Sequence, residues 1–138
     1  MLLHQELTDR IINAFYKVYN ALGHGFLEKA YENAVAIELE RQGHTVRQQQ
    51  PIKVFYEGHR VGDYFADLII DDLVILELKA AQGINEAHET QLLNYLRATD
   101  VEVGLLLNFG TKPQFRRKVY MNDKKKHIAN AEKGDSPV

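Results

Sequence analysis

The stretch from Ala66 to Lys79 constrains the fold of this chain more than any other. It reads Ala66-Asp67-Leu68-Ile69-Ile70-Asp71-Asp72-Leu73-Val74-Ile75-Leu76-Glu77-Leu78-Lys79. Two apolar runs flank a short acidic turn, the pattern of neighbouring buried strands. Each run carries a carboxylate where a buried strand should be apolar: Asp67 in the first, Glu77 in the second, with Lys79 following. Charge placed there is costly unless it is paired or bound to a cation. Two carboxylates and a lysine brought together suggest a divalent-metal site.

Strand parity sets a condition on that site. Side chains alternate faces, so Glu77 and Lys79 point the same way. A two-residue turn at Asp71-Asp72 would pair Ile70 with Leu73, set Asp67 against Leu76 and put the carboxylates on opposite faces. A three-residue connection, or a bulge, sets Asp67 directly across from Glu77. Opposed Cβ atoms then lie about 4.5–5.5 Å apart, close enough to share one hard cation. Mg²⁺ takes oxygen ligands and keeps several waters, so two carboxylates and a carbonyl suffice.

The remaining pattern predicts a mixed α/β or α+β chain. Leu7, Ile11, Ala14, Phe15, Val18 and Leu22 recur at helical spacing, with Thr8 as N-cap and Gly23 as stop. A second helix is expected over about 26–42, closed by Gly43. An extended segment over 45–50 is expected to be interrupted by Pro51. A strand over 52–56, a turn at Glu57-Gly58-His59 and a strand over 60–70 follow, then a strand over 73–80. Asn85 can cap a helix over 86–98. Strands over 101–109 and 115–120, joined by a turn at 110–113, complete the order. The polar segment 122–138 is expected to be a flexible tail, leaving 1–121 as one domain. The chain has 138 residues, 45% of them hydrophobic and 26% charged, enough to bury a core in the manner of an ordinary globular protein.

Composition narrows the chemistry. Without cysteine the chain has no disulfide, thiolate zinc site, iron–sulfur cluster or cysteine nucleophile. The formal net charge of −2 gives no global pull on nucleic acid, so any phosphate-binding surface must be local. Its only basic clusters, Arg116-Arg117-Lys118 and Lys124-Lys125-Lys126, are expected to be solvated. Apolar runs are too short to span a membrane, and the first residues lack the layout of a signal peptide. A cytoplasmic location is expected.

Further candidates lie on the helices. Glu28 falls near the line of Val35 and Leu39 on the second helix, with Tyr31 close by. A site acid and an acid simply favoured by the helix dipole are equal readings of Glu28. Gln91 and Tyr95 lie four apart on the helix after Lys79, where a half-buried face with a polar rim is the competing account. The histidines are scattered; His88 is notable for preceding Gln91 by one turn.

Gly25-Phe26-Leu27-Glu28-Lys29-Ala30-Tyr31 resembles the signature of the GxxExxY proteins, members of the PD-(D/E)XK nuclease superfamily. Four more blocks fit in order: Ala66-Asp67-Leu68, Glu77-Leu78-Lys79, Gln91-Leu92-Leu93-Asn94-Tyr95-Leu96 and Gly104-Leu105-Leu106-Leu107-Asn108-Phe109-Gly110. The E-x-K triplet alone is weak; the ordered set is specific and spans about 7–120. Ala66 stands where the superfamily pattern has a proline, a residue that many members lack. The resemblance implies a restriction-endonuclease-like core, a mixed central sheet flanked by helices. It implies that Asp67, Glu77 and the Leu78 carbonyl bind Mg²⁺ or Mn²⁺, and that Lys79 orients or activates the attacking water. It implies that Glu28 holds a second metal or a metal-bound water. Gln91, with Tyr95 or Tyr31, would steady the lysine or a phosphate.

The resulting expectation is a metal-dependent nuclease acting on nucleic acid, DNA ahead of RNA. The alternative is a catalytically idle nucleic-acid-binding or protein-interaction module on the same fold. With little room for a recognition domain, a homodimer or a protein partner is expected to supply one.

Overall fold

The computed structural model describes residues 2–125. Its element order is α1 (Gln5–Leu22), α2 (Glu28–Arg41), β1 (Val46–Tyr56), β2 (His59–Ile70), β3 (Val74–Lys79), α3 (Glu86–Arg97), β4 (Val103–Phe109) and β5 (Pro113–Val119). A short 3₁₀ turn at Asn122–Lys124 follows. The five strands form one sheet in chain order. Every neighbouring pair is antiparallel except β3–β4, which is parallel because α3 crosses between them. This is an α+β fold consistent with a restriction-endonuclease-like core.

Alternation on the strands sorts the core into two layers. Leu68, Ile70, Val74, Leu76 and Leu78 pack with the buried stripes of α1 and α2. Ile69, Ile75 and Leu106 face the other way and pack against Leu92, Tyr95 and Leu96 of α3. By parity Glu77 and Lys79 belong to the α3 side, with Ile75. No helix among the described residues is long and apolar enough to cross a membrane.

The structure corrects several sequence expectations. His4, not Thr8, occupies the α1 N-cap, in a left-handed conformation with φ 54°. Thr8 is buried inside the helix and its hydroxyl donates to the Gln5 carbonyl. Pro51 does not interrupt β1, which runs through it paired with Phe65. β1 is an edge strand, where a missing N–H need not cost a ladder bond. The helix expected from residue 26 starts at Glu28 instead. The basic runs are not simply solvated. Lys118 pairs with Glu89 at 2.6 Å, and Arg117 donates to the Leu3 carbonyl. Lys125 donates to the Thr99 and Val101 carbonyls, and burial lowers its pKa. The expected tail begins in a turn that Asn122 ties to Glu102 and Asp100. Residues 126–138 of that tail, including Lys126, lie outside the described residues.

Candidate active site

The β2–β3 connection meets the parity condition. Ile70 pairs with Val74, Ile69 with Ile75 and Leu68 with Leu76, which leaves a three-residue link of Asp71, Asp72 and Leu73. Asp71 and Asp72 both adopt positive φ, 53° and 57°. Aspartate tolerates that region better than most residues, because its short polar side chain can bond locally. Extending the register by one pair sets Asp67 opposite Glu77.

At that pair the backbone ladder gives way to side chains. Glu77 Oε2 accepts from the Asp67 backbone N–H at 2.9 Å. Asp67 Oδ2 accepts from the Leu78 N–H at 2.9 Å. Each strand thus lends its carboxylate to the other strand's backbone, and both acids sit in the seam between the strands. Glu77 is only 4% exposed; Asp67 is half-buried.

A third acid approaches from α2, and it is Glu32. It is buried and accepts from Gln48 and Gln49 side chains, each at 2.8 Å, and from Lys29 at 3.1 Å. Gln49 Nε2 also reaches Asp67 Oδ1 at 3.4 Å, so one amide bridges the two acids. Adjacent strand residues normally point to opposite faces. Gln48 and Gln49 both reach Glu32 because Gln49 has φ 49°, which re-aims its side chain.

Electrostatics single out the pair in the seam. Burial, then the charge of Asp67, push the Glu77 carboxyl up to about 8. Burial, then the charge of Glu32, raise Asp67, against the opposing Leu78 N–H. Lys79 favours the ionised form of both without cancelling the rise. Lys79 Nζ lies 3.5 Å from Gln91 Oε1, and so is tied to α3. Burial, then the charges of Glu77 and Asp67, push the Tyr95 hydroxyl up to about 12, so it stays protonated at neutral pH.

The segment after Lys79 is held from below. Asn108, fully buried on β4, accepts from the Ala81 N–H at 2.9 Å and donates to the Ala81 carbonyl at 3.0 Å. Gly110 lets that carbonyl approach, since a Cβ there would collide with the Ala81 oxygen.

Two sequence-predicted residues lie elsewhere. Tyr31 is fully buried and stacked on Phe109, with ring centroids 4.2 Å apart. Its hydroxyl donates to the Gly23 carbonyl at 2.6 Å and accepts from the Phe26 N–H at 3.2 Å. It clamps the α1–α2 connection and has no free group for a phosphate, which corrects that expectation. Glu28 is exposed at the first position of α2 and lines a separate groove with Ala80, Ala81 and Gln82. It shares no hydrogen bond with Asp67 or Glu77 among the described residues. Glu32, one turn on, lies about 40° from the same helical line, so the spacing that selected Glu28 selects Glu32 almost as well. His88 is occupied in the α3 capping box with Asn85.

Residues 5–118 match the family profile of the PD-(D/E)XK nuclease superfamily. The chain belongs to this superfamily. No curated protein and no solved structure matches it. PD-(D/E)XK nucleases generally use divalent metal ions. No group of three or more His, Asp or Glu side chains among the described residues forms a ready cage. The seam nevertheless offers hard oxygen donors from Asp67 and Glu77, two acids whose ionised forms are disfavoured by burial and by neighbouring negative charge, that of Asp67 and Glu32 on Glu77 and that of Glu32 on Asp67. Hard oxygen donors of this kind suit a divalent cation that completes its coordination with water.

Proposed function

We propose that this superfamily member is a Mg²⁺- or Mn²⁺-dependent nuclease that hydrolyses phosphodiester bonds, with DNA as the preferred substrate. Within the superfamily we read it as a GxxExxY protein acting in the cytoplasm. The observation that carries the proposal is the seam: two carboxylates replace the β2–β3 ladder where Lys79 and Gln91 also meet.

In this reading Asp67, Glu77 and the Leu78 carbonyl would hold the cation, and the chemistry it would supply is Lewis-acid stabilisation of charge on a phosphoryl oxygen. Lys79 orients the attacking water and stabilises negative charge developing on the phosphorus oxygens. Gln91 keeps the ammonium of Lys79 aimed at the seam. Tyr95, protonated, donates a hydrogen bond to a substrate oxygen. Gln49 and Glu32 act as positioning residues, since the shared amide fixes the Asp67 carboxylate. Glu28 is the alternative third acid. Glu28→Gln and Glu32→Gln compared side by side separate the two, and the larger loss of metal affinity is expected for Glu32.

The test is a Mg²⁺ and Mn²⁺ panel on single-stranded, double-stranded and branched DNA and RNA, with Lys79→Ala purified beside the wild type. Metal-dependent cleavage by the wild type alone is expected. Equal cleavage by both would point to a contaminant. Binding without cleavage would favour the idle nucleic-acid-binding module, and neither would favour a protein partner.

A further inference from the structure

A cleft of about 830 Å³ opens between the β1–β2 hairpin and α3. That volume lies within the roughly 300–1,000 Å³ of small-ligand sites. The cleft adjoins the seam through Gln91, which lines it beside Tyr95 and lies 3.5 Å from Lys79 Nζ. We propose that this cleft receives an unpaired nucleobase next to the scissile phosphate, so that the preferred substrate is single-stranded or locally unpaired. The inference rests on the nuclease reading of the adjoining seam.

The lining is wrong for a phosphate track and right for a base. One wall is Val54, Val61 and Tyr64 of the hairpin; the other is the α3 surface around Thr90, Gln91 and Asn94. The charged residues lining it are Glu86 and Arg97, of opposite sign. A backbone track needs several cations, and here one acid offsets one base. Arg97 is also engaged, donating to Asn94 Oδ1 at 3.1 Å. With its carbonyl so held, Asn94 keeps its NH₂ to donate to a base edge.

Tyr64 supplies the stacking surface. It is 49% exposed, and its ring lies back over Gly62, where a Cβ would stand 3.0 Å from the ring edge. It also meets Tyr95 with centroids 6.0 Å apart and planes tilted by 45°. The ring is thus braced on two sides while much of it stays open. A base inside a duplex has both faces stacked and its Watson–Crick edge paired, so it cannot enter such a cleft in place. It must be unpaired, or leave the stack at a cost, before its phosphate reaches Lys79.

The test uses the intact 138-residue chain with one nucleic-acid sequence as a single strand and as a duplex. Affinity is measured in chelator with a 2-aminopurine label, and cleavage is measured in Mg²⁺. Wild type is expected to bind and cut the single strand in preference, with a change in 2-aminopurine emission on binding. Tyr64→Ala is expected to weaken single-strand binding by about 5- to 150-fold, the loss of one stacked base. It should also erase the preference over duplex, while Tyr64→Trp retains it. Val61→Asp, at a 62% exposed position of the same wall, should give a parallel loss without touching the ring. Melting curves matching the wild type confirm that these surface changes leave the fold intact. Equal handling of single strand and duplex by the wild type, or unchanged binding by both Tyr64→Ala and Val61→Asp, overturns the proposal. Tyr64-dependent binding with no cleavage of any substrate would support the cleft and sink the nuclease reading instead.

Discussion

The β2–β3 hairpin carries two pairs of acids, one at each end, and the fold treats them in opposite ways. At the turn, Asp71 accepts from the Thr45 N–H and meets the His44 ring, each at 2.8 Å. Beside it, Asp72 meets Arg47 at 2.8 Å, and that hydrogen bond lowers its pKa. In the seam, Asp67 and Glu77 are buried beside each other and their pKa values rise. Turn acids find partners from β1 and the loop before it, so their charge is answered within the chain. Seam acids receive backbone N–H groups and a lysine, which leave negative charge in excess. Sequence alone shows four similar acids; the difference lies in what each is folded against.

The largest effect expected from this contrast is on catalysis. Glu77→Gln should lower metal-dependent cleavage by at least the order of 10²–10³ that one lost electrostatic group typically costs. Asp72→Asn should leave it near the wild-type rate. Matched losses in the two variants, measured on the same DNA, would erase the distinction between the ends.

Next in size is a pH effect without metal. Glu77 titrates near 8 in the folded chain against an ordinary value of 4.5, so the native state holds more protons between those values. Its contribution to stability is therefore fully present below about 4.5 and lost as pH rises through about 8. Asp67 shifts in the same direction. Chelated wild type should lose stability relative to Glu77→Gln between about pH 5 and pH 8, by on the order of a few kcal/mol at most. Thermal melts of both proteins across that range check this, and a constant gap would contradict it.

Smaller again is the structural role of the turn. Asp71→Ala removes the acceptor from the Thr45 N–H and the His44 ring, and should cost roughly 1–3 kcal/mol. The exposed Arg47–Asp72 pair should contribute little, and less in high salt. Denaturant unfolding of Asp71→Ala and Arg47→Ala ranks the two. The reverse order would mean that the turn depends on the ion pair.

Much of this arrangement was legible in the chain. Period-2 and period-3.6 patterns are local, and they marked the helices and strands near their observed limits. Parity arithmetic identified the connection that a shared site requires. The third acid was less legible. Glu32 gains its place through Gln48 and Gln49, and both amides reach it because one backbone angle turns left-handed, which a Gln-Gln-Gln run does not announce. Pro51 was misread because edge position depends on sheet order, a long-range property. Tyr31 was misread because its partners, Gly23 and Phe109, are set by packing of α2 on the sheet.

On the proposed function the seam, and not the turn, takes a divalent cation. A thermal melt in millimolar Mg²⁺ or Mn²⁺ against chelator tests it most directly, on wild type, Asp67→Asn and Asp72→Asn. Binding to the native state raises the melting temperature by mass action. Wild type and Asp72→Asn should rise together, and Asp67→Asn should not. No rise in the wild type, or the same rise in Asp67→Asn, would contradict the account.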